Sequence, residues 1–152
     1  MKAGIVVAFV VSLALPAIAQ PANKIPAEAP PAPSIWSIDI LGLKGESLGN
    51  FTIQLLGESC NWAVCESRVR KARLLQSSVQ SPALTREFEA KGYFPTYRVE
   101  NKRLTILLNH YFDFGLLLSG PFTAREGKGD YIEWKRGSRS RLGTFTARRL
   151  QR

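Results

Sequence analysis

The feature that most constrains this chain is an apolar period of two that recurs from residue 36 onward. Trp36, Ile38 and Ile40 alternate with Ser37 and Asp39, and Phe51, Ile53 and Leu55 with Thr52 and Gln54. Leu104, Ile106 and Leu108 alternate with Arg103 and Thr105, and Phe112, Phe114, Leu116 and Leu118 with Asp113 and Gly115. Successive strand side chains point to opposite faces, so each segment buries one face and wets the other. A helix cannot gather these residues on one side, because its apolar positions recur every three or four residues.

Punctuation between the segments agrees with short strands. Gly42 and Gly45 bracket a turn, Gly57 ends the second strand, and Asn109-His110-Tyr111 reads as a tight connection. Gly120-Pro121 punctuates again, Phe122 to Ala124 can start a strand, and Glu126-Gly127-Lys128-Gly129-Asp130 reads as a turn. Tyr131 to Lys135 and Leu142 to Leu150 then read as strands about a polar turn at Gly137 to Ser140. The middle is less regular. Ser67 to Gln76 lacks an apolar stripe at helical spacing and is assigned as a strand. Ala83 to Ala90 is the one helix, stopped by Gly92, and Tyr93 to Glu100 returns to strand character around Pro95. Seven or eight short strands about ten residues apart, joined by short connections, predict an all-β fold of sequential hairpins. Such a meander leaves two edges exposed unless it closes. The expectation is a small antiparallel up-and-down barrel with one short helix, with a β-sandwich as the alternative.

The segment before this domain differs in kind. Lys2, the uncharged run Gly4 to Leu15, Pro16 and the small-x-small Ala17-Ile18-Ala19 form a secretory signal peptide, with cleavage expected between Ala19 and Gln20. The run is shorter than the ~20 residues that span a bilayer. No Cys follows the cleavage site, so a lipoprotein anchor is not expected and the product reads as a soluble periplasmic or secreted protein. Residues 20–34 hold five prolines and little to pack, which makes them an extended or disordered linker. The domain organisation is therefore a signal peptide at 1–19, a linker at 20–34 and one domain at 35–152.

The whole pattern resembles the calycin-type barrels, the lipocalin and avidin group. Those barrels carry a Trp early in the first strand, crossed by a basic residue from the last. Trp36 opens the first strand here, without the usual Gly two residues before it (position 34 is Ser), and Phe145, Ala147 and Arg149 share one face of the last. The resemblance implies that Arg149 closes over Trp36, a cation–π contact worth about 0.5–2 kcal/mol. It implies a fold and does not carry a function.

Export changes how the remaining residues read. Cys60 and Cys65 are the only cysteines, and an even count in a secreted chain argues for a disulfide that pins the intervening loop and presents Trp62. Two Cys and the single His110 are too few soft ligands for a zinc site, and no nucleophile motif surrounds any serine. No metal, cofactor or catalytic residue is expected. Charge is the more specific signal. The chain carries 21 Lys and Arg against 12 Asp and Glu, a net +9 that becomes +8 once Lys2 is removed. Lys135 to Arg152 contains seven basic residues and no acidic one, among them Arg136, Arg139, Arg141, Arg148 and Arg149; Arg68, Arg70, Lys71 and Arg73 form a second cluster. Closure of the sheet can merge the two into one positive face, with Trp62, Arg68, Arg70, Arg136, Arg139 and Arg141 as ligand-binding candidates. In an exported protein such a face points away from nucleic acid and towards an anionic envelope component or an envelope protein. The expected function is a non-catalytic binding module for an apolar, amphipathic or anionic envelope ligand. The alternative is a protein-interaction or hydrolase-inhibitor barrel acting through the Cys60–Cys65 loop.

Overall fold

The computed structural model describes residues 33–60, 68–89, 95–109 and 114–150. They form an eight-stranded closed antiparallel barrel in which every strand pairs with its neighbours in sequence and β8 returns to β1. The strands are β1 (Ser34–Gly42), β2 (Ser47–Ser59), β3 (Arg70–Val79), β4 (Thr96–Glu100), β5 (Arg103–Leu107), β6 (Phe114–Pro121), β7 (Glu126–Lys135) and β8 (Ser138–Leu150), with one helix, α1 (Pro82–Glu89), between β3 and β4. The expected up-and-down barrel is the fold. Among the described residues no helix is long and apolar enough to cross a membrane.

The period of two does what it predicts in β1 and β2, where Trp36, Ile38, Ile40, Phe51, Ile53 and Leu55 are all inward and at most 1% exposed. The closing seam sets Trp36 opposite Arg149, Ile38 opposite Ala147 and Ile40 opposite Phe145. Aromatic rings fill the interior: Trp36, Phe51, Tyr97, Tyr131 and Phe145 are each at most 2% exposed. Phe114, expected among them, lies at the rim and is 42% exposed, because β6 begins there; Phe112 lies outside the described residues.

Two tight hairpins use left-handed residues. Asn101 and Lys102 (φ 50° and 60°) join β4 to β5, and Arg136 and Gly137 (φ 44° and 85°) join β7 to β8, the conformation that matches the strand twist. The stretch 126–130 is not the expected turn. It is the first half of β7. Its glycines serve close approach instead: a Cβ on Gly129 would strike the Ser119 carbonyl and the Gly120 Cα. The turn lies one step earlier, where Thr123 N–H donates to Glu126 O (2.7 Å) and Thr123 Oγ1 accepts from Arg125 N and Glu126 N (3.2 and 3.1 Å).

The wall is weakest between β3 and β4, which share only the pairs Arg70–Tyr97 and Lys71–Thr96. Helix α1 follows β3 and packs against it. Pro82 sits at its first position, Thr85 N–H donates to Ser81 O (2.9 Å), and Leu84 and Phe88, four apart, share one face. Leu84 is fully buried and Phe88 meets Phe51 edge-to-face at 5.1 Å. Eight residues are too few for a stable free helix, so this packing holds it.

Candidate functional site

The up-and-down order gathers one set of connections at each end of the barrel. The start of β1, the β2–β3 connection, the β4–β5 hairpin, the β6–β7 connection and the end of β8 share one end. Helix α1, the β1–β2 turn, the β5–β6 connection and the β7–β8 hairpin lie towards the other.

The first end is basic. Residues facing each other across an antiparallel pair project to the same side. Arg149, opposite Trp36, therefore lies on the inward face at the rim, where it is half-buried. Beneath it the Trp36 indole N–H donates to Ser34 Oγ (2.9 Å). Arg70, opposite Tyr97, occupies the equivalent place on β3, its Nη1 donating to Ser59 Oγ (2.8 Å) and Gly57 O (3.3 Å). Burial raises the Tyr97 phenol, while a hydrogen bond with the Gly57 backbone and the Arg70 charge act the other way. Arg68 reaches Glu100 (3.5 Å) and Lys71 reaches Glu58 (3.5 Å), both ion pairs near the surface. Cys60 N–H donates to Val69 O (3.0 Å), which closes the base of the β2–β3 connection on this end. Among the described residues no cysteine is free. Trp62, Cys65 and His110 lie outside the described residues.

The other candidate arginines separate. Arg136 forms the β7–β8 hairpin at the far end. Arg141 pairs with Asp130 (2.8 Å). Arg139 joins Arg98, Lys102 and Arg103 along an outer cleft of about 380 Å³. The two sequence clusters thus do not form one compact face.

Residues that the sequence did not single out complete the basic surface. A cleft of about 600 Å³ at the β1–β8 seam is lined by Arg125, Arg148 and Arg149 together with Ser34, Gln54 and Glu126. A neighbouring cleft of about 570 Å³ shares Glu126 and Arg148 and adds Lys128. Lys128 was obscured by the turn-like glycines around it, and Arg98, Lys102, Arg103 and Arg125 are scattered along the chain with no local pattern.

The helix end carries a different signature. Among the described residues, four buried side-chain atoms have no hydrogen-bond partner: Glu87 Oε2, Thr96 Oγ1, Asn109 Nδ2 and Trp134 Nε1. They belong to α1, the first residue of β4, the connection after β5 and the penultimate residue of β7. Glu87 is 5% exposed, and burial raises its carboxyl against a weaker opposing pull from Arg86. Tyr131 is raised far above the ordinary phenol by burial and by the charges of Glu87 and Glu133. Among the described residues no group of three or more His, Cys, Asp or Glu could hold a metal ion.

No family model, curated protein or solved structure matches this chain.

Proposed function

We propose that this is an exported, non-catalytic binding module whose basic end holds an anionic component of the cell envelope. The observation that carries the reading is the convergence of Arg70, Arg149, Arg125, Arg148, Lys102 and Arg103 on one end, although they are spread over five strands and connections. Large side chains occupy the barrel's interior positions, which favours a rim or wall site over an internal one. The signal peptide supplies the compartment. In that compartment Cys60 and Cys65 pair as a disulfide across the loop that carries Trp62.

The position of that loop favours one further reading. It springs from the basic end with its base closed by the Cys60–Val69 hydrogen bond, as a loop that engages an envelope protein or blocks a hydrolase would.

Cell fractionation with mass spectrometry tests export and pairing. The mature chain should begin at Gln20, and reduction should add two hydrogens to its mass. Binding of the purified chain to anionic vesicles, lipopolysaccharide and acidic glycans tests the site. Attraction should weaken steeply between about 0.05 and 0.5 M salt, and the paired change Arg70→Ala with Arg149→Ala should weaken it further. Full retention at high salt, or indifference to both changes, removes the basic end from the function. Capture of one envelope protein that is lost in Trp62→Ala selects the second reading.

A further inference from the structure

The three clefts adjoin one another through shared lining residues. The seam cleft and its neighbour share Glu126 and Arg148, and that neighbour shares Pro121 with the cleft on β4–β6. Backbone hydrogen bonds tie the same places together: Arg149 N–H donates to Arg125 O (2.8 Å), and Phe122 N–H to Lys102 O (3.4 Å). Eight cationic side chains line this track, namely Arg98, Lys102, Arg103, Arg125, Lys128, Arg139, Arg148 and Arg149, against Asp39, Glu100 and Glu126. Two of the acids are already engaged. Asp39 Oδ1 accepts from Asn50 Nδ2 (2.7 Å), and Glu100 faces Arg68 and Arg98.

The track runs across the strands, from β8 through β7, β6 and β5 to β4. At about 4.8 Å per strand step it covers about 19 Å along the wall, with the convex outer surface adding to this. It bends around half of the circumference. A flat bilayer can meet only a narrow strip of such a cylinder, whereas a flexible chain can follow it. A single-stranded nucleic acid would want aromatic platforms for its bases, and among the described residues Phe122 is the only aromatic that lines the three clefts. Between the cations lie hydroxyl and amide groups, Ser34, Gln54, Thr123, Thr146, Thr105 and Ser119, interspersed with apolar side chains such as Ile35, Ala124, Leu117 and Leu150. The polar groups suit sugar hydroxyls.

We infer that the track is a binding site for a linear acidic polysaccharide, which wraps the barrel across β8 to β4 and places its carboxylate, sulfate or phosphate groups on successive arginines and lysines. The inference rests on the anion-binding reading above and names its ligand class. It makes the site a matter of length, with each added repeat unit reaching further cations until the track is covered.

The test is calorimetry of the full mature chain with sulfated and uronate oligosaccharides from disaccharide to dodecasaccharide. Affinity should climb with length and then level off. The double changes Lys102→Ala/Arg103→Ala and Arg125→Ala/Arg148→Ala lie at opposite ends of the track. Each should weaken the dodecasaccharide roughly tenfold and shorten the length at which affinity levels off, while Arg136→Ala changes neither. Circular dichroism melts establish that each variant is folded. A disaccharide that binds as tightly as the dodecasaccharide overturns the wrapping track and leaves the anion-binding reading standing, as does equal binding to anionic vesicles lost in the same variants. No binding to any polyanion at low salt overturns both.

Discussion

Glu87 should make this barrel less stable as pH rises. Its side chain is 4% exposed on the inner side of α1, and Oε2 has no partner. The nearest cation, Arg86 Nε, is 3.9 Å from Oε1 but is itself 76% exposed and so strongly screened by water. Burial therefore favours the protonated acid and raises its pKa above the ordinary 4.5. In the folded state Glu87 keeps its proton to a higher pH than in the unfolded chain. Between the two pKa values the folded state binds more protons, and stability falls as pH rises through that window. Below 4.5 the acid is neutral in both states and costs little. At higher pH a charge is buried on the helix that carries the fully buried Leu84, close enough to the Tyr131 phenol to act on it, with Arg86 as its neighbouring cation. An uncompensated buried polar group costs about 1–3 kcal/mol, and a charged one more. Glu87→Gln should thus match the parent near pH 4 and exceed it by about 1–3 kcal/mol at pH 8. That is a rise of about 4–12 °C in Tm at roughly 4 °C per kcal/mol for a domain of this size. Thermal melts of both proteins from pH 4 to pH 8 measure it, with Glu89→Gln, an exposed residue of the same helix, as the control. Parallel curves for parent and Glu87→Gln across that range would refute the reasoning, since they would mean that Glu87 ionises in place without penalty.

Two further substitutions test how the wall is built. Gly120→Val should destabilise the barrel by about 1–3 kcal/mol, because its Cβ would strike the Lys128 carbonyl and the Gly129 Cα of β7; a chemical denaturation midpoint unchanged from the parent would mean that the strands can part there without cost. Arg136→Asn should stabilise the fold by about 0.5–1 kcal/mol, since position 136 sits at φ 44°, left-handed backbone that costs most residues about that much and that Asn-Gly hairpins tolerate. A fall in denaturation midpoint would show that Arg136 makes a contact that outweighs its backbone strain.

The barrel was legible because burial acts residue by residue along a strand. Trp36-x-Ile38-x-Ile40 declares its inner face without reference to any other segment, and four such segments, with strand-like stretches at hairpin spacing between them, leave few closed folds. Glycine was legible only as a type of freedom. At Gly137 that freedom makes a turn, whereas at Gly129 it admits a neighbouring backbone, and the difference lies in Gly120, nine residues away and on another strand. The charged surface was less legible for a related reason. Cations have no period, and their neighbours depend on the order of strands around the barrel. Arg139 and Arg141 are two residues apart and point to the same side of β8, yet Arg141 is tied to Asp130 while Arg139 shares a cleft with Arg98 and Arg103. Counting basic residues along Lys135 to Arg152 therefore registers a net charge but cannot say which of them act together. That grouping is a property of strand order. Joining β8 to β1 brings Arg149 to the same face as Trp36, and the hydrogen bond from Arg149 N–H to Arg125 O carries the basic edge onward to β6 and β7. The cations of the track all stand on β4 to β8 and their connections, so the order of those strands gathers them, and closure of β8 on β1 adds Ser34 and Gln54 at the seam.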